Sequence, residues 1–400
     1  MARVTVPIGP YHPILEEPEY FQLEVEGETV TGIKFQLGGN HRGIEKIAEE
    51  LTFDQVPFIV ERICGICSTS HPIAAVQAME DLGGIEVPER ALYIRTIIAE
   101  LERIHSHLLW VGLAGHFIGY NTVFMWAWKY REPILELCEY ISGNRNNYAM
   151  MKVGGVRRDI PEEKYPRIIK TMDELVPKLE LLKGAFLDDP VLHARLKGIG
   201  IMTPEDVHDF GALGPHARGS GVAIDVRKDD PYAAYDRIEW QVCTWPTCDV
   251  FARAVVRVLE CIEAAKIIRQ CVEKMPRGEI DAHVESLPPG EGIGHAEAPR
   301  GETFHYIRSD GTNCPVRHKM RAPTFQNYQT FKKIVIGEEI GDAMLATASA
   351  DPCYSCTERI AAVDAKTGEV KYSWRDILRK AREKTRKLMD EFGRHEPWMP

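Results

Sequence analysis

The sequence is poor in positive charge, in linkers and in membrane-length apolar runs. Lys and Arg number 49 against 59 Asp and Glu, a formal net charge of −10, so the basic face needed for general nucleic-acid binding is missing. The opening residues, Met-Ala-Arg-Val-Thr-Val-Pro, carry no apolar signal-peptide core. No internal repeat, low-complexity run or Pro/Gly/Ser linker interrupts the 400 residues. Length alone would allow two or three domains, but one cooperative domain over residues 1–400 is expected. A single charge-free stretch, Leu108 to Trp128, is long enough to cross a bilayer. It contains His116, Asn121, Thr122 and three glycines, and Gly119-Tyr120-Asn121 reads as a break between two buried core helices.

The remaining pattern predicts a mainly α protein with small β elements (α+β): a central helix bundle, an N-terminal β-hairpin and C-terminal β-hairpins. Phe21, Leu23 and Val25 alternate, as do Ile33, Phe35 and Leu37, around a turn near Gly27. This hairpin lies in an N-terminal region, residues 1–50. A helical core follows over 51–284. Pro88 suits a first helical turn, and Leu92, Ile97, Leu101, Ile104 and Leu108 recur at helical spacing. Further helices are predicted near 132–142, 163–185 and 248–275. A C-terminal region, 285–359, opens with a Gly/Pro-rich stretch, 285–325, that contains a hairpin pairing Thr303–Ile307 with Val316–Met320. The tail, 360–400, reads as a hairpin turning at Lys366-Thr367-Gly368 and then a helix, with a capping box at Ser373 and Asp376. That basic amphipathic helix packs on the body or on a partner subunit; a membrane surface is the alternative.

Ten cysteines read as a reduced thiol set and not as a disulfide framework. Four of them form two Cys-x-x-Cys clamps, Cys64-Gly-Ile-Cys67 and Cys353-Tyr-Ser-Cys356, with corresponding cysteines 289 residues apart. Zinc ribbons hold their clamps roughly 15–20 residues apart, so a local zinc module is excluded and the whole fold must assemble the site. Thiolates suit zinc, iron–sulfur clusters, nickel and low-spin iron, and a Cys-x-x-Cys is also a redox motif. Spacing alone leaves these open. Cys243 and Cys248 have no partner pair nearby, and Cys138, Cys261, Cys271 and Cys314 read as small buried side chains. His105 and His107 do not share a helix face, and at least one of them is expected either to face a partner subunit or to be a satisfied core histidine.

The flanks resolve the choice. Arg62-Ile-Cys-Gly-Ile-Cys-Ser-Thr-Ser-His71, together with Asp351-Pro-Cys-Tyr-Ser-Cys-Thr-Glu-Arg359, resembles the large subunit of nickel–iron hydrogenases, and most closely the membrane-associated, energy-converting group. Gly9-Pro-Tyr-His-Pro13, His41-Arg-Gly-Ile-Glu45, Glu100-Leu-Glu-Arg-Ile-His-Ser-His107, Ser142-Gly-Asn-Arg145, Gly154-Gly-Val-Arg-Arg158 and Glu297-Ala-Pro-Arg-Gly301 extend the resemblance over nearly the whole chain.

The resemblance implies a Ni-Fe(CO)(CN)2 centre held by all four cysteines, with Cys64 and Cys353 terminal on nickel and Cys67 and Cys356 bridging to iron. It implies heterolytic hydrogen chemistry in which Cys353 receives the proton and Glu17 relays it, since a carboxyl in an apolar pocket exchanges protons near neutral pH. Arg300 would lie over the centre as a fixed positive donor, oriented by Asp351, and His71 would hydrogen-bond the Cys67 sulfur. Many hydrogenases end the second motif in a histidine that helps bind a third metal. Arg359 takes that place here, and a Glu45–Arg359 ion pair is expected to replace the metal; whether a C-terminal peptide is removed is open.

No cysteines remain for an iron–sulfur cluster in this chain. A small subunit carrying a [4Fe–4S] cluster is therefore implied, and the resemblance further implies ferredoxin-like iron–sulfur subunits and membrane ion-translocating subunits, at the cytoplasmic side of the membrane. The rivals are the quinone-site subunit of complex I, which shares Gly-Pro-x-His-Pro but lacks the four cysteines, and a non-catalytic hydrogen sensor.

Overall fold

Apolar periodicity places the centre of the molecule. The computed structural model describes residues 3–357, 362–364, 366–367 and 369–391. Four long helices, Glu89–Phe117, Asn121–Ser142, Tyr165–Asp188 and Val250–Lys274, form the bundle. The first of these is buried almost all round and packs against both the second and the fourth. Asp249 caps the fourth by accepting from Ala252 N at 2.8 Å. The charge-free stretch is the corner between the first two: one helix ends at Phe117, Gly119 takes φ 80°, and the next begins at Asn121. No helix among the described residues is long and apolar enough to cross a membrane.

Small antiparallel sheets flank the bundle. At the N-terminus, Arg3–Ile8, Tyr20–Glu26 and Thr29–Gln36 pair in sequence order, with Phe21 opposite Phe35 and Leu23 opposite Ile33. Pro289–Ala298, Gly301–Asp310 and Arg317–Arg321 form a second three-stranded sheet. Two-stranded ladders join Met151–Lys152 to Gly155–Val156 and Ala362–Val363 to Val370–Tyr372. The last of these leads into the helix Trp374–Glu391, whose capping box is present: Asp376 N donates to Ser373 Oγ at 3.4 Å and Ser373 N to Asp376 Oδ2 at 3.0 Å.

The hairpins and helices fall where the pattern put them, with four differences. The strand Arg3–Ile8 is mostly exposed and has little alternation to reveal it. The strand Pro289–Ala298 has glycines at its buried positions Gly292 and Gly294, between Glu291, Ile293 and His295, which hides its periodicity. The predicted helix at 132–142 begins eleven residues earlier and runs through Pro133, where a proline suggests a start. Cys314 is half-buried, not buried.

The helix Ser70–Gly83, which follows the first cysteine pair, lies directly on the strand Pro289–Ala298. A methyl at Gly292 would meet the Ala78 carbonyl oxygen at 2.0 Å, and one at Gly294 would meet that of Ala74 at 2.2 Å. Backbone therefore rests on backbone, and no other residue fits.

A buried ionic network ties this sheet to the bundle. Arg218 bonds Glu260 at 2.7 Å and Glu297 at 2.8 Å, and lies 3.3 Å from Asp225. Arg227 bonds Asp225 at 2.6 Å and Glu100 at 3.0 Å. Arg103 pairs with Glu100 at 3.2 Å and donates to the Glu297 carbonyl at 2.6 Å.

Gly294→Ala is expected to cost about 1–3 kcal/mol by overpacking. It should lower the denaturant midpoint without changing the slope.

Candidate metal centre

The two cysteine loops are held from several directions. Cys64 and Cys67 lie between the short helix Val56–Glu61 and the helix Ser70–Gly83. Thr69, at the latter's N-terminus, makes no side-chain cap. Glu102 of the central helix substitutes: its carboxylate accepts from Thr69 N, Ser70 N and Ser70 Oγ. His105, one turn along, bonds the Ile66 carbonyl at 3.2 Å through Nε2, while Arg131 donates to its Nδ1 at 3.1 Å. His107 meets Glu260 at 2.8 Å. Both histidines are fully buried inside this chain, so neither faces a partner, and the core reading applies to both.

The second loop begins at Asp351, whose φ of 55° turns the chain sharply. Cys353 N donates to Thr324 Oγ1 at 3.1 Å, and Cys356 lies in the short turn Tyr354–Thr357. Arg42 joins the two loops: it donates to the carbonyls of Arg62 at 2.7 Å, Ile63 at 2.6 Å and Ser355 at 3.2 Å.

The four sulfurs consequently lie within 4.8 Å of one another, all buried. Cys353 and Cys356 approach to 2.8 Å and Cys67 and Cys356 to 3.5 Å, well beyond a disulfide bond of about 2.05 Å. Among the described residues no other group of three or more His, Cys, Asp or Glu is arranged to hold a metal. Hydrogen bonds from Cys353, Cys356 and Cys67 pull the Cys64 thiol well below its usual range. Burial, and the bonds it donates, push Cys356 well above. Four like charges at this separation cannot coexist unaided, whereas a bound cation would deprotonate all four. Two clamps of soft donors with no competing oxygen ligand fit nickel and iron.

Arg300 borders the cluster. Its Nε donates to the Asp351 carbonyl at 2.8 Å and its Nη2 pairs with Asp351 Oδ1 at 2.8 Å. Burial alone would lower its pKa, but Asp351 and the thiols Cys353, Cys64 and Cys67 hold it charged and well above the usual value. Its buried Nη1 has no hydrogen-bond partner, a donor suited to a cyanide nitrogen on iron. Glu17 is half-buried. It accepts from Ser355 N at 2.7 Å and from Ser355 Oγ, between Cys353 and Cys356. Burial, then the charge of Cys64, raise its pKa. Glu17 and the solvent-exposed Glu16 line a recess of about 440 Å³ formed by Pro10–Pro18.

One expectation changes, and another lies outside the described residues. His71 Nε2 meets Cys356 at 3.4 Å, not Cys67: the first helical turn points the ring across to the opposite loop. Glu45 is bonded by Lys319 Nζ at 2.9 Å and Met320 N at 3.2 Å, while Arg359 lies outside the described residues, as does the expected pair. Arg42, Glu102, His305 and His318 were not singled out as site residues. Arg42 and Glu102 sit inside motifs that carried the resemblance, which was the available signal.

Family models match in the same places. The model for nickel-dependent hydrogenase covers residues 42–112, and that for the respiratory-chain NADH dehydrogenase 49 kDa subunit covers 118–287 and 282–359. The membrane-bound hydrogenase subunit alpha of Pyrococcus furiosus is 41% identical, over 96% of this chain and 94% of that protein. The chain belongs to the family of energy-converting [NiFe]-hydrogenase large subunits and complex I 49 kDa subunits. As a homologue of the [NiFe]-hydrogenase catalytic subunit it retains the four-cysteine motif. The carbon monoxide-induced hydrogenase of Rhodospirillum rubrum is 40% identical, over 90% of this chain and all of that protein. A chain of an archaeal membrane-bound sulfane sulfur reductase shares the hydrogenase-like fold, with a TM-score of 0.84 and 30% identity over 89% of this chain and 98% of that one.

Arg42→Ala is expected to cost about 1–2 kcal/mol, the low end for charge-assisted bonds because the side chain is partly exposed. Elemental analysis should show reduced nickel and iron retention, with the N-terminal sheet unaffected.

Proposed function

We propose that this chain is the catalytic large subunit of an energy-converting hydrogenase, interconverting protons and hydrogen by 2H⁺ + 2e⁻ = H2. The observation that carries the reading is the closed set of four buried sulfurs beneath a charged Arg300. Cys64, Cys67, Cys353 and Cys356 would together hold the nickel–iron group. When bound, the nickel–iron group supplies the redox chemistry of making and breaking the H–H bond.

The protein's own residues manage charge and protons. Arg300 stabilises negative charge at the centre from a preorganised, dry position, and Asp351 fixes its orientation through two contacts. Cys353 takes the proton. Glu17, anchored on Ser355 between the two cysteines, carries it to the recess under Pro10–Pro18 and so to water. Its raised pKa suits exchange near neutral pH.

Electrons need an outside carrier, because the described residues hold no second cysteine cluster. A small subunit with a [4Fe–4S] cluster, ferredoxin-like subunits and membrane ion-translocating subunits complete the assembly in this reading, on the cytoplasmic side of the membrane. The recess also contains His12, the position that suits a quinone head group in the related subunits, but a quinone site has no use for four clustered thiols.

Glu17→Gln should leave metal content and the infrared bands of iron-bound carbon monoxide and cyanide in place while lowering dye-linked turnover about 100-fold or more. Unchanged turnover would place the relay elsewhere. Wild-type enzyme with no such bands, or one that reduces sulfane sulfur and evolves no hydrogen, would end the hydrogenase reading.

A further inference from the structure

Behind His71 lie two more fully buried histidines in single file. His71 begins the helix Ser70–Gly83. His305 lies mid-strand in Gly301–Asp310, on the same inward face as Thr303 and Ile307. His318, opposite Ile307 on the next strand, is its diagonal neighbour. Cys356 Sγ meets His71 Nε2 at 3.4 Å, His71 Nδ1 meets His305 Nε2 at 3.0 Å, and His305 Nδ1 meets His318 Nε2 at 2.9 Å. The rings are tilted, at 59° and 57°, and not stacked, as hydrogen-bonded imidazoles require. The file then stops: His318 Nδ1 is buried with no hydrogen-bond partner.

Counting protons fixes the direction. Three neutral imidazoles carry three N–H groups for three bonds, so all point the same way along the file. If they pointed away from Cys356, the sulfur would have to donate and His318 Nδ1–H would be a buried donor with nothing to meet, a costly arrangement. A fourth proton would have to occupy the same dead end. If they point towards Cys356, each Nε2–H donates to the next acceptor, and the end is a bare nitrogen lone pair. Thr303 Oγ1 lies 3.4 Å from His71 Nδ1 and donates to the Arg321 carbonyl at 3.3 Å. Burial keeps the end of the file neutral, holding His318 to about 3.

We propose that His71, His305 and His318 form a one-way imidazole relay, each ring the Nε2–H tautomer, that directs one polarised hydrogen bond onto the Cys356 sulfur. His305 and His318 are positioning residues: they touch no metal ligand and act through His71. Each donated bond polarises the next, so the file strengthens the donor at the sulfur and draws electron density from it. Because it ends blind, it conducts no protons to solvent, which separates it from the Glu17 route. This inference rests on the reading of Cys356 as a metal thiolate.

The test is infrared spectroscopy of the assembled enzyme. Loss of the hydrogen bond leaves more electron density on the sulfur and hence on iron, so the carbon monoxide and cyanide bands should move to lower frequency. His305→Leu should give the larger shift and His318→Leu a smaller one in the same direction. His318→Gln, which keeps a donor near the Nε2 position, should restore the wild-type bands. Bands that stay fixed in both leucine variants would overturn the relay while leaving the metal centre standing; bands missing from wild type would instead remove the centre itself. If a leucine variant fails to assemble, neutron diffraction of the wild-type enzyme decides. Deuterium on all three Nε2 atoms with a bare His318 Nδ1 supports the relay, and deuterium on His318 Nδ1 overturns it.

Discussion

Mutual repulsion among four buried thiolates is the constraint around which the molecule is arranged. Four thiolates this close repel one another, and a bound cation lets all four ionise together. Everything nearby serves that condition. Arg300 adds a fixed positive charge, Ile66 N donates to Cys64 Sγ at 3.3 Å, and His71 meets Cys356. Oxygen ligands are kept out: Glu17 is occupied by Ser355, Asp351 by Arg300 and Glu102 by the helix start it caps. The site is therefore selective by what its carboxylates are prevented from doing as much as by its sulfurs.

The buried ionic network performs a separate task. Arg103, Arg218 and Arg227 face Glu100, Asp225, Glu260 and Glu297, which leaves one more carboxylate than guanidinium. Burial and the charge of Asp225 raise Glu297 to about 7. Buried pairs of this kind add little net stability over apolar packing, but they define one alignment of sheet on bundle. That alignment sets Arg300, three residues beyond Glu297, over the sulfurs.

Much of this was legible in the sequence because its signals are local. Alternation at Phe21–Val25, helical spacing from Leu92 to Leu108 and the Gly119 break describe elements whose burial is one-sided or complete. The cysteine pairs, Arg300 and Glu17 were legible through motif resemblance. What stayed hidden depends on contacts between distant segments. His305 and His318 look like unremarkable strand residues until sheet register makes them diagonal neighbours and a helix more than 200 residues earlier in the chain supplies His71. The strand carrying Gly292 and Gly294 was not predicted, because the role of these glycines is to have no side chain against a helix, which periodicity cannot register. The His71 assignment went to the sulfur nearer in sequence, whereas the helix start aims the ring at the farther loop.

The Arg42 bridge between the loops has a bearing on how the molecule is built. Joining Cys67 to Cys356 closes a loop of 289 residues, at an entropic cost of about 5 kcal/mol before any constant term. A contact of such long sequence separation cannot nucleate folding; it forms when the intervening helices and sheets are already in place. Arg42, which also bonds the nearby Arg62 and Ile63 carbonyls, then acts as a latch whose last bond closes only when Ser355 arrives. A chain with a misplaced bundle or a slipped strand presents two sulfurs instead of four, so tight metal retention is itself a proofreading signal for the entire fold.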